Sequence, residues 1–168
     1  MSQDAILLYA PRLGNLLVEQ GWMFSCAESC TGGLLAAAMT DTPGSSAWFD
    51  RGFVTYSNAA KMEQLGVAAN TLEHFGAVSE ETAMEMAAGV LANASLSQLA
   101  IATTGIAGPG GGTPGKPVGM VCFGFAQRVG KGIVTRAATK IFEGDRTQVR
   151  AASVEFALKT AIELVAPH

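Results

Sequence analysis

Up to residue 104 the chain alternates strand-like runs with helical ones, and most strands hand over to a helix through a turn of small polar residues and glycine. That alternation constrains the fold more than any other feature. It fits strands lying side by side with the connecting helices packed on the faces of the sheet. Residues 4–20 read as a helix with Ile6, Leu7, Leu13, Leu16 and Leu17 on or near one face, and Gly21 stands where a stop is expected. Pro11 interrupts this pattern, at a place where proline kinks a helix or resets its start. Residues 22–27 read as a strand, and residues 32–40 as a helix of small side chains. Residues 53–57 form a second strand by β-branched and aromatic content, with Asn58 as cap of the helix that follows. Ser79 caps another helix, with Glu80 and Glu81 in its first turn, where the dipole favours them. Residues 99–104 form a third strand.

After that point the alternation stops. Residues 118–126 and 133–142 follow each other as a hairpin around Val129, Gly130, Lys131 and Gly132. The last helix opens at Asp145 in a capping-box pattern with Gln148, and Val149, Ala152, Phe156 and Leu164 fall on one stripe. The expected fold class is α/β: a three-layer α/β/α sandwich with a mixed β-sheet, one domain over residues 1–168.

Composition narrows the function classes. Hydrophobic residues make up 49% and charged residues 15%, which suits closely packed helices and a face buried in a homo-oligomer, most simply a homodimer. The net charge is −3 and no cluster of Lys or Arg occurs, so nucleic acid is not expected as a partner. No secretory leader pattern opens the chain and no run approaches the roughly 18 apolar residues of a membrane span. A soluble cytoplasmic protein is the expectation. Three cysteines (Cys26, Cys30, Cys122) without a CxxC, and two histidines (His74, His168), suggest neither a disulfide framework nor a metal site. A serine–histidine–aspartate triad would have to use His74.

Four segments carry possible chemistry. In Ala27-Glu28-Ser29-Cys30-Thr31-Gly32-Gly33, a serine stands between a strand and a helix N-terminus. Free N–H groups and the helix dipole there suit an oxyanion or a phosphate, and the glycines let a ligand approach the backbone. The same serine equally suits a plain helix cap. The G-x-S-x-G pattern of the α/β-hydrolases is absent. Cys30 is a rival nucleophile, since a helix N-terminus lowers a thiol's pKa, but no histidine stands beside it. In the second segment, residues 55–61, Lys61 falls in the first turn of a helix, where positive potential lowers its pKa as a base requires. A solvated surface lysine is the plainer alternative, and Ser57 is spaced to meet Lys61 across one turn. The third, Thr103 to Pro109, ends a strand in a glycine-rich loop that either holds an anion or merely connects. In the fourth, Arg146 at the start of the last helix either reaches a phosphate or lies in solvent. Trp48 and the methionines read as core or interface.

Taken in order, AESCTGG at 27–33, PGSSAWFDRGFVTYSNAAK at 43–61, FGAVSEETA at 75–83, TGIAGPGGG at 104–112, KPVG at 116–119 and FEGDR at 142–146 are far more specific than any one alone. The chain resembles, over nearly its whole length, the C-terminal domain of CinA (competence/damage-inducible) proteins and the single-domain amidases of that family. The resemblance implies deamidation of nicotinamide mononucleotide to nicotinate mononucleotide and ammonia, with no metal and no cofactor. It implies a serine nucleophile assisted by a lysine, with a hydroxyl residue before the GIAGP loop. The matching positions are Ser29, Lys61 and Thr104, with Thr103 adjacent. Substrate-binding candidates are Cys30, Thr31, Gly32, Gly33, Ser45, Ser46, Tyr56, Asn58, Thr103, Gly105, Gly108 and Arg146. CinA proteins often carry a preceding nucleotide-hydrolase domain, for which these residues leave no room. The alternative is a non-catalytic nucleotide-binding or interaction module of a competence- or damage-linked protein.

Overall fold

The computed structural model describes residues 2–167, so His168 lies outside the described residues. Five strands form one mixed sheet in the order β2-β1-β3-β4-β5. The parallel half comprises β1 (Phe24–Glu28), β2 (Phe49–Val54) and β3 (Leu99–Gly105), with β1 central and paired to both others. The antiparallel half is the hairpin β4 (Met120–Val129) and β5 (Gly132–Ile141), joined to β3 through β4. Its two-residue turn, Gly130-Lys131, lies inside the segment the sequence marks for it.

Side chains alternate across the strands and so feed two separate cores. On one face Phe24, Cys26, Leu99, Ile101, Val121, Phe123 and Phe125 pack against α1 (Ser2–Gln20), α2 (Leu34–Thr40) and α6 (Arg146–Val165). On the other, Ala27, Ala100, Ala102 and Ala126 pack against α5 (Glu80–Asn93) and the end of α3 (Asn58–Leu65). The alanines keep this second layer thin. α4 (Ala69–Phe75) lies beside α5, and Glu85 from α5 accepts from Ala68 N and Thr71 Oγ1 at its start. The result is the expected three-layer α/β/α sandwich with a mixed sheet.

Several boundaries differ from the sequence reading, each for a physical reason. α1 runs through Pro11 without restarting, and its buried positions are Ala10, Leu13, Gly14 and Leu17, whereas Leu7 is 57% exposed. β2 begins at Phe49 rather than Phe53 and ends at Val54. It is an edge strand, so Asp50, Arg51 and Gly52 sit in it without the apolar signature of a central strand. α2 begins only at Leu34, because Gly32 and Gly33 adopt φ of +55° and +106°, which no α-helix accommodates. Ser57 caps α3, accepting from Ala60 N at 3.0 Å, and Asn58 is the first helical residue. α4 carries no signal strong enough to have been expected. In α6 the capping box of Asp145 and Gln148 forms with both bonds. The fully buried stripe, however, is Val149, Ser153, Val154, Ala157, Leu158, Ala161, Ile162 and Val165; Ala152, Phe156 and Leu164 flank it half-buried.

One contact sets how closely α5 approaches the sheet. A Cβ on Gly124 in β4 would collide with the carbonyl of Ala83 in α5. Gly124→Ala must therefore push α5 outward, and we expect a loss of about 1–3 kcal/mol in denaturant unfolding. Gly132→Ala, whose added Cβ would meet nothing nearer than 3.8 Å, is the matched control and should shift the midpoint little. Equal stability of the two variants would show that α5 is not seated on that glycine.

Candidate active site

The C-terminal ends of β1 and β3 lie side by side, with Glu28 opposite Thr103 in register. Open α/β sheets bind ligands beyond such strand ends. Directly after β1 the chain turns sharply: Gly32 N donates to Ser29 O at 3.0 Å and Leu34 N to Thr31 O at 2.9 Å. The left-handed glycines 32 and 33 then turn the chain into α2. Ser29 N donates to Thr103 O at 3.0 Å, which fixes the start of this turn to β3.

Glu28 holds the turn from behind. Its side chain is 1% exposed. One carboxylate oxygen accepts from Thr31 Oγ1 at 2.6 Å and Leu35 N at 2.7 Å, and the other accepts from Ala36 N at 3.0 Å. It thereby caps α2, in a role the sequence would assign to a residue nearer the helix. Thr103 Oγ1 meets Thr31 Oγ1 at 2.8 Å. Because the Thr31 hydroxyl proton goes to the carboxylate, the Thr103 hydroxyl donates to Thr31. From the other side Arg150 donates to Cys30 O at 3.2 Å and Thr31 O at 3.0 Å. Sequence reasoning missed both Glu28 and Arg150. Glu28 adjoins the serine and could have been suspected, whereas nothing local marks Arg150.

Lys61 comes to Ser29 from α3. Its amine lies 3.0 Å from Ser29 Oγ, 3.0 Å from Thr55 O and 3.2 Å from Tyr56 O. The side chain is 1% exposed, so the surface-lysine alternative is excluded. Burial holds its pKa below the ordinary lysine value. Of the two causes the sequence suggests, the helix N-terminus and burial in the cleft, burial is the one that lowers it here. Ser57 is not the lysine's partner, since its hydroxyl caps α3.

Ser29, Cys30, Tyr56, Lys61, Thr104 and Arg146 share one cleft of about 280 Å³ with Ala77, Val78 and the loop residues Gly105 to Gly108, Gly110 and Gly111. The sequence reading that segments 27–33, 55–61 and 103–112 converge on one cleft covers Gly110 and Gly111 but not Ala77 and Val78. The Gly108–Pro109 peptide is cis. Thr104, not Thr103, reaches the cleft; its hydroxyl donates to Ala77 O at 2.8 Å. Arg146 bridges the mouth, donating to Gly108 O at 2.7 Å and meeting the Tyr56 hydroxyl at 3.3 Å.

Other candidates are placed elsewhere. Thr31 and Thr103 are fully buried behind the turn, and Gly32 and Gly33 shape it without lining the cleft. Asn58 is exposed on α3. Ser45 and Ser46 lie in a 3-10 turn before β2, at the opposite end of the sheet from Ser29. The Cys30 thiol is pushed up to about 12 by burial, the reverse of the lowering expected for a reactive thiol. His74 is exposed on α4 with Nδ1 against Asn70 O, so no triad forms around it. Among the described residues no group of His, Cys, Asp and Glu could hold a metal ion, and no helix is long and apolar enough to cross a membrane.

A geometry of this kind has close relatives. The chain is 53% identical, over 96% of both lengths, to a nicotinamide-nucleotide amidohydrolase (PncC) of Enterobacter agglomerans. It is 54% identical to a CinA-like protein of Chloroherpeton thalassium, where the match takes 91% of this chain but 36% of that protein. The crystal structure of a competence/damage-inducible protein from Agrobacterium tumefaciens superposes with a TM-score of 0.88 at 46% identity, over 95% of each chain. The model of the CinA C-terminal domain matches residues 9–165, and the chain belongs to that family.

Proposed function

We propose that this chain hydrolyses the carboxamide of nicotinamide mononucleotide to the carboxylate and ammonia, with Ser29 as nucleophile and Lys61 as its base. Full-length similarity to a nicotinamide-nucleotide amidohydrolase supports the substrate. The observation that carries the mechanism is the buried 3.0 Å contact between Lys61 Nζ and Ser29 Oγ.

The surroundings of the amine suit a base. A neutral amine has two hydrogens and one lone pair. The carbonyls of Thr55 and Tyr56 accept the two hydrogens, so the lone pair is left for the Ser29 hydroxyl once it turns from Tyr56 O, to which it donates at 3.3 Å, toward the amine at 3.0 Å. Once Ser29 attacks the carboxamide carbon, its proton passes to Lys61, and the ammonium then finds an acceptor for every N–H. Lys61 returns that proton to the departing nitrogen as the C–N bond breaks. A water, deprotonated by the same amine, then attacks the acyl carbon, and Lys61 passes that proton to Ser29 Oγ as the acyl–oxygen bond breaks. Backbone N–H groups of the turn after Ser29 stabilise the oxyanion. Arg146 has five N–H donors and spends two on Gly108 O and Tyr56, so others remain for the nucleotide phosphate. Thr104 completes the set, with its hydroxyl on Ala77 O at the edge of the cleft.

Self-association belongs to the same proposal. Leu7 and Leu8 on α1 are 57% and 72% exposed, and the unpaired edge strand β5 exposes Val134 and Ile141. Light scattering at micromolar concentration should give a mass above the 17.3 kDa of one chain, most simply twice it; a monomer alone would refute the association.

Ser29→Ala should abolish ammonia release while the protein remains folded, because only a hydroxyl at the cleft is removed. Lys61→Arg should lower turnover by roughly 10²- to 10⁴-fold, the usual contribution of a positioned base, with little change in KM. Arginine keeps the charge but cannot give up its proton near neutrality. In the wild type the base must be unprotonated, so turnover should rise with pH through a limb lying below the ordinary lysine value of 10.5. Near-normal turnover in Lys61→Arg, or a flat profile through neutral and alkaline pH, would reject the serine–lysine assignment. Absence of ammonia release by the wild type would favour the non-catalytic binding module instead.

A further inference from the structure

We infer that Thr104 is the residue that distinguishes the carboxamide substrate from the carboxylate product, by presenting an oxygen that accepts hydrogen bonds but has no hydrogen to donate. The inference rests on the amidase reading for the identity of the ligand, and on the structure for the direction of the proton.

The direction follows from one bond. Thr104 Oγ1 lies 2.8 Å from the carbonyl oxygen of Ala77. A carbonyl oxygen only accepts, so the single hydroxyl hydrogen of Thr104 is committed to it. The side chain is 1% exposed and lines the cleft that holds Ser29 and Lys61. Toward that cleft it offers lone pairs alone. Strand alternation puts Thr104 on the same sheet face as Ala102, the face on which α3 and α5 pack and from which Lys61 approaches. Thr103, one residue earlier, turns the other way and donates to Thr31.

A primary carboxamide brings two N–H donors into the cleft. A carboxylate brings none, and its oxygens repel the Thr104 lone pairs. An N–H held by Thr104 also turns the nitrogen's lone pair elsewhere as the C–N bond breaks, free to take the proton carried by Lys61. After hydrolysis the donor has left as ammonia. The remaining acid then loses an attractive contact and gains a repulsive one, which favours its release. Substrate selection and product discharge thus come from one fixed hydroxyl.

Binding should be measured by calorimetry in the Ser29→Ala background, where no turnover confuses amide with acid. The ligands are nicotinamide mononucleotide and nicotinate mononucleotide, the variants Ser29→Ala alone and with Thr104→Val or Thr104→Ser. The parent should prefer the amide, and Thr104→Val should cut that preference by roughly 5- to 100-fold, the span for an unmatched polar group in a buried site. Thr104→Ser keeps the hydroxyl and should restore most of it. A structural role for Thr104, such as holding Ala77, would weaken both ligands alike and leave the ratio unchanged, which overturns the inference. So does a parent protein that binds the two ligands equally, a result that needs no folded Thr104→Val. The ratio is read from binding alone, so it stands apart from wild-type ammonia release, whose absence would count against the amidase reading itself.

Discussion

The Glu28 carboxylate is the interaction on which the rest of the site depends. Carrying an ionised carboxyl out of water costs several kcal/mol unless its lone pairs are matched. Here they are matched by the Thr31 hydroxyl and by two amides at the start of α2. Those amides would otherwise be orphan donors at a buried helix end, and the helix dipole favours an anion at that place. Each partner therefore solves the other's problem. The geometric consequence falls on the residues between them: β1 ends at Glu28, α2 begins at Leu34, and the turn holding Ser29 has little freedom left. Thr103 adds a hydroxyl to the same chain of donors, which links the ends of β1 and β3.

Lys61 is the opposite case, a buried basic group with no carboxylate to meet it. Among the described residues the one ion pair is between Arg51 and Asp50, at the surface. Nothing offsets the cost of a buried ammonium except two carbonyls and a serine hydroxyl, so burial favours the neutral amine. Glu28 and Lys61 never meet, although both flank Ser29. Had they paired, the lysine would hold its proton and the carboxylate would leave its helix. The sheet prevents it: Glu28 lies on the α2 face, and Lys61 comes from α3 on the other.

Much of this was legible in the sequence, and the reason differs by residue. The strand-to-helix turn at Ser29 announces itself through Gly32 and Gly33, because only glycine takes the left-handed conformation cheaply there. The late hairpin and the Asp145 capping box are equally local signals. β2 was misplaced because an edge strand has no apolar pattern to read, and α4 because its cap is supplied from α5 by Glu85 rather than by its own sequence. Arg150 was invisible for a related reason: its partners, Cys30 O and Thr31 O, are backbone atoms some 120 residues away. Ser45 and Ser46 are substrate-binding candidates on the family resemblance alone, but they precede β2 whereas the cleft lies beyond the strand ends.

The division between rigid and adjustable parts follows from the same topology. Ser29 and Thr104 stand at or directly after the ends of paired central strands, and Lys61 projects from α3 with its amine held by three contacts, so these three side chains are positioned by the sheet and the helix packed on it. The outer wall is different. The loop from Gly105 to Gly111 is tied to the start of the hairpin by Ile106, whose N–H donates to Met120 O and whose carbonyl accepts from Gly119 N, and by the buried Ala107, while Arg146 joins Gly108 O to Tyr56 across the mouth. Arg146 and Tyr56 are both exposed. The bond between them lies at the surface, apart from the buried contact between Ser29 and Lys61. The contact between Ser29 Oγ and Lys61 Nζ thus rests on the strand ends and on α3, and the exposed pair of Arg146 and Tyr56 closes the mouth apart from it.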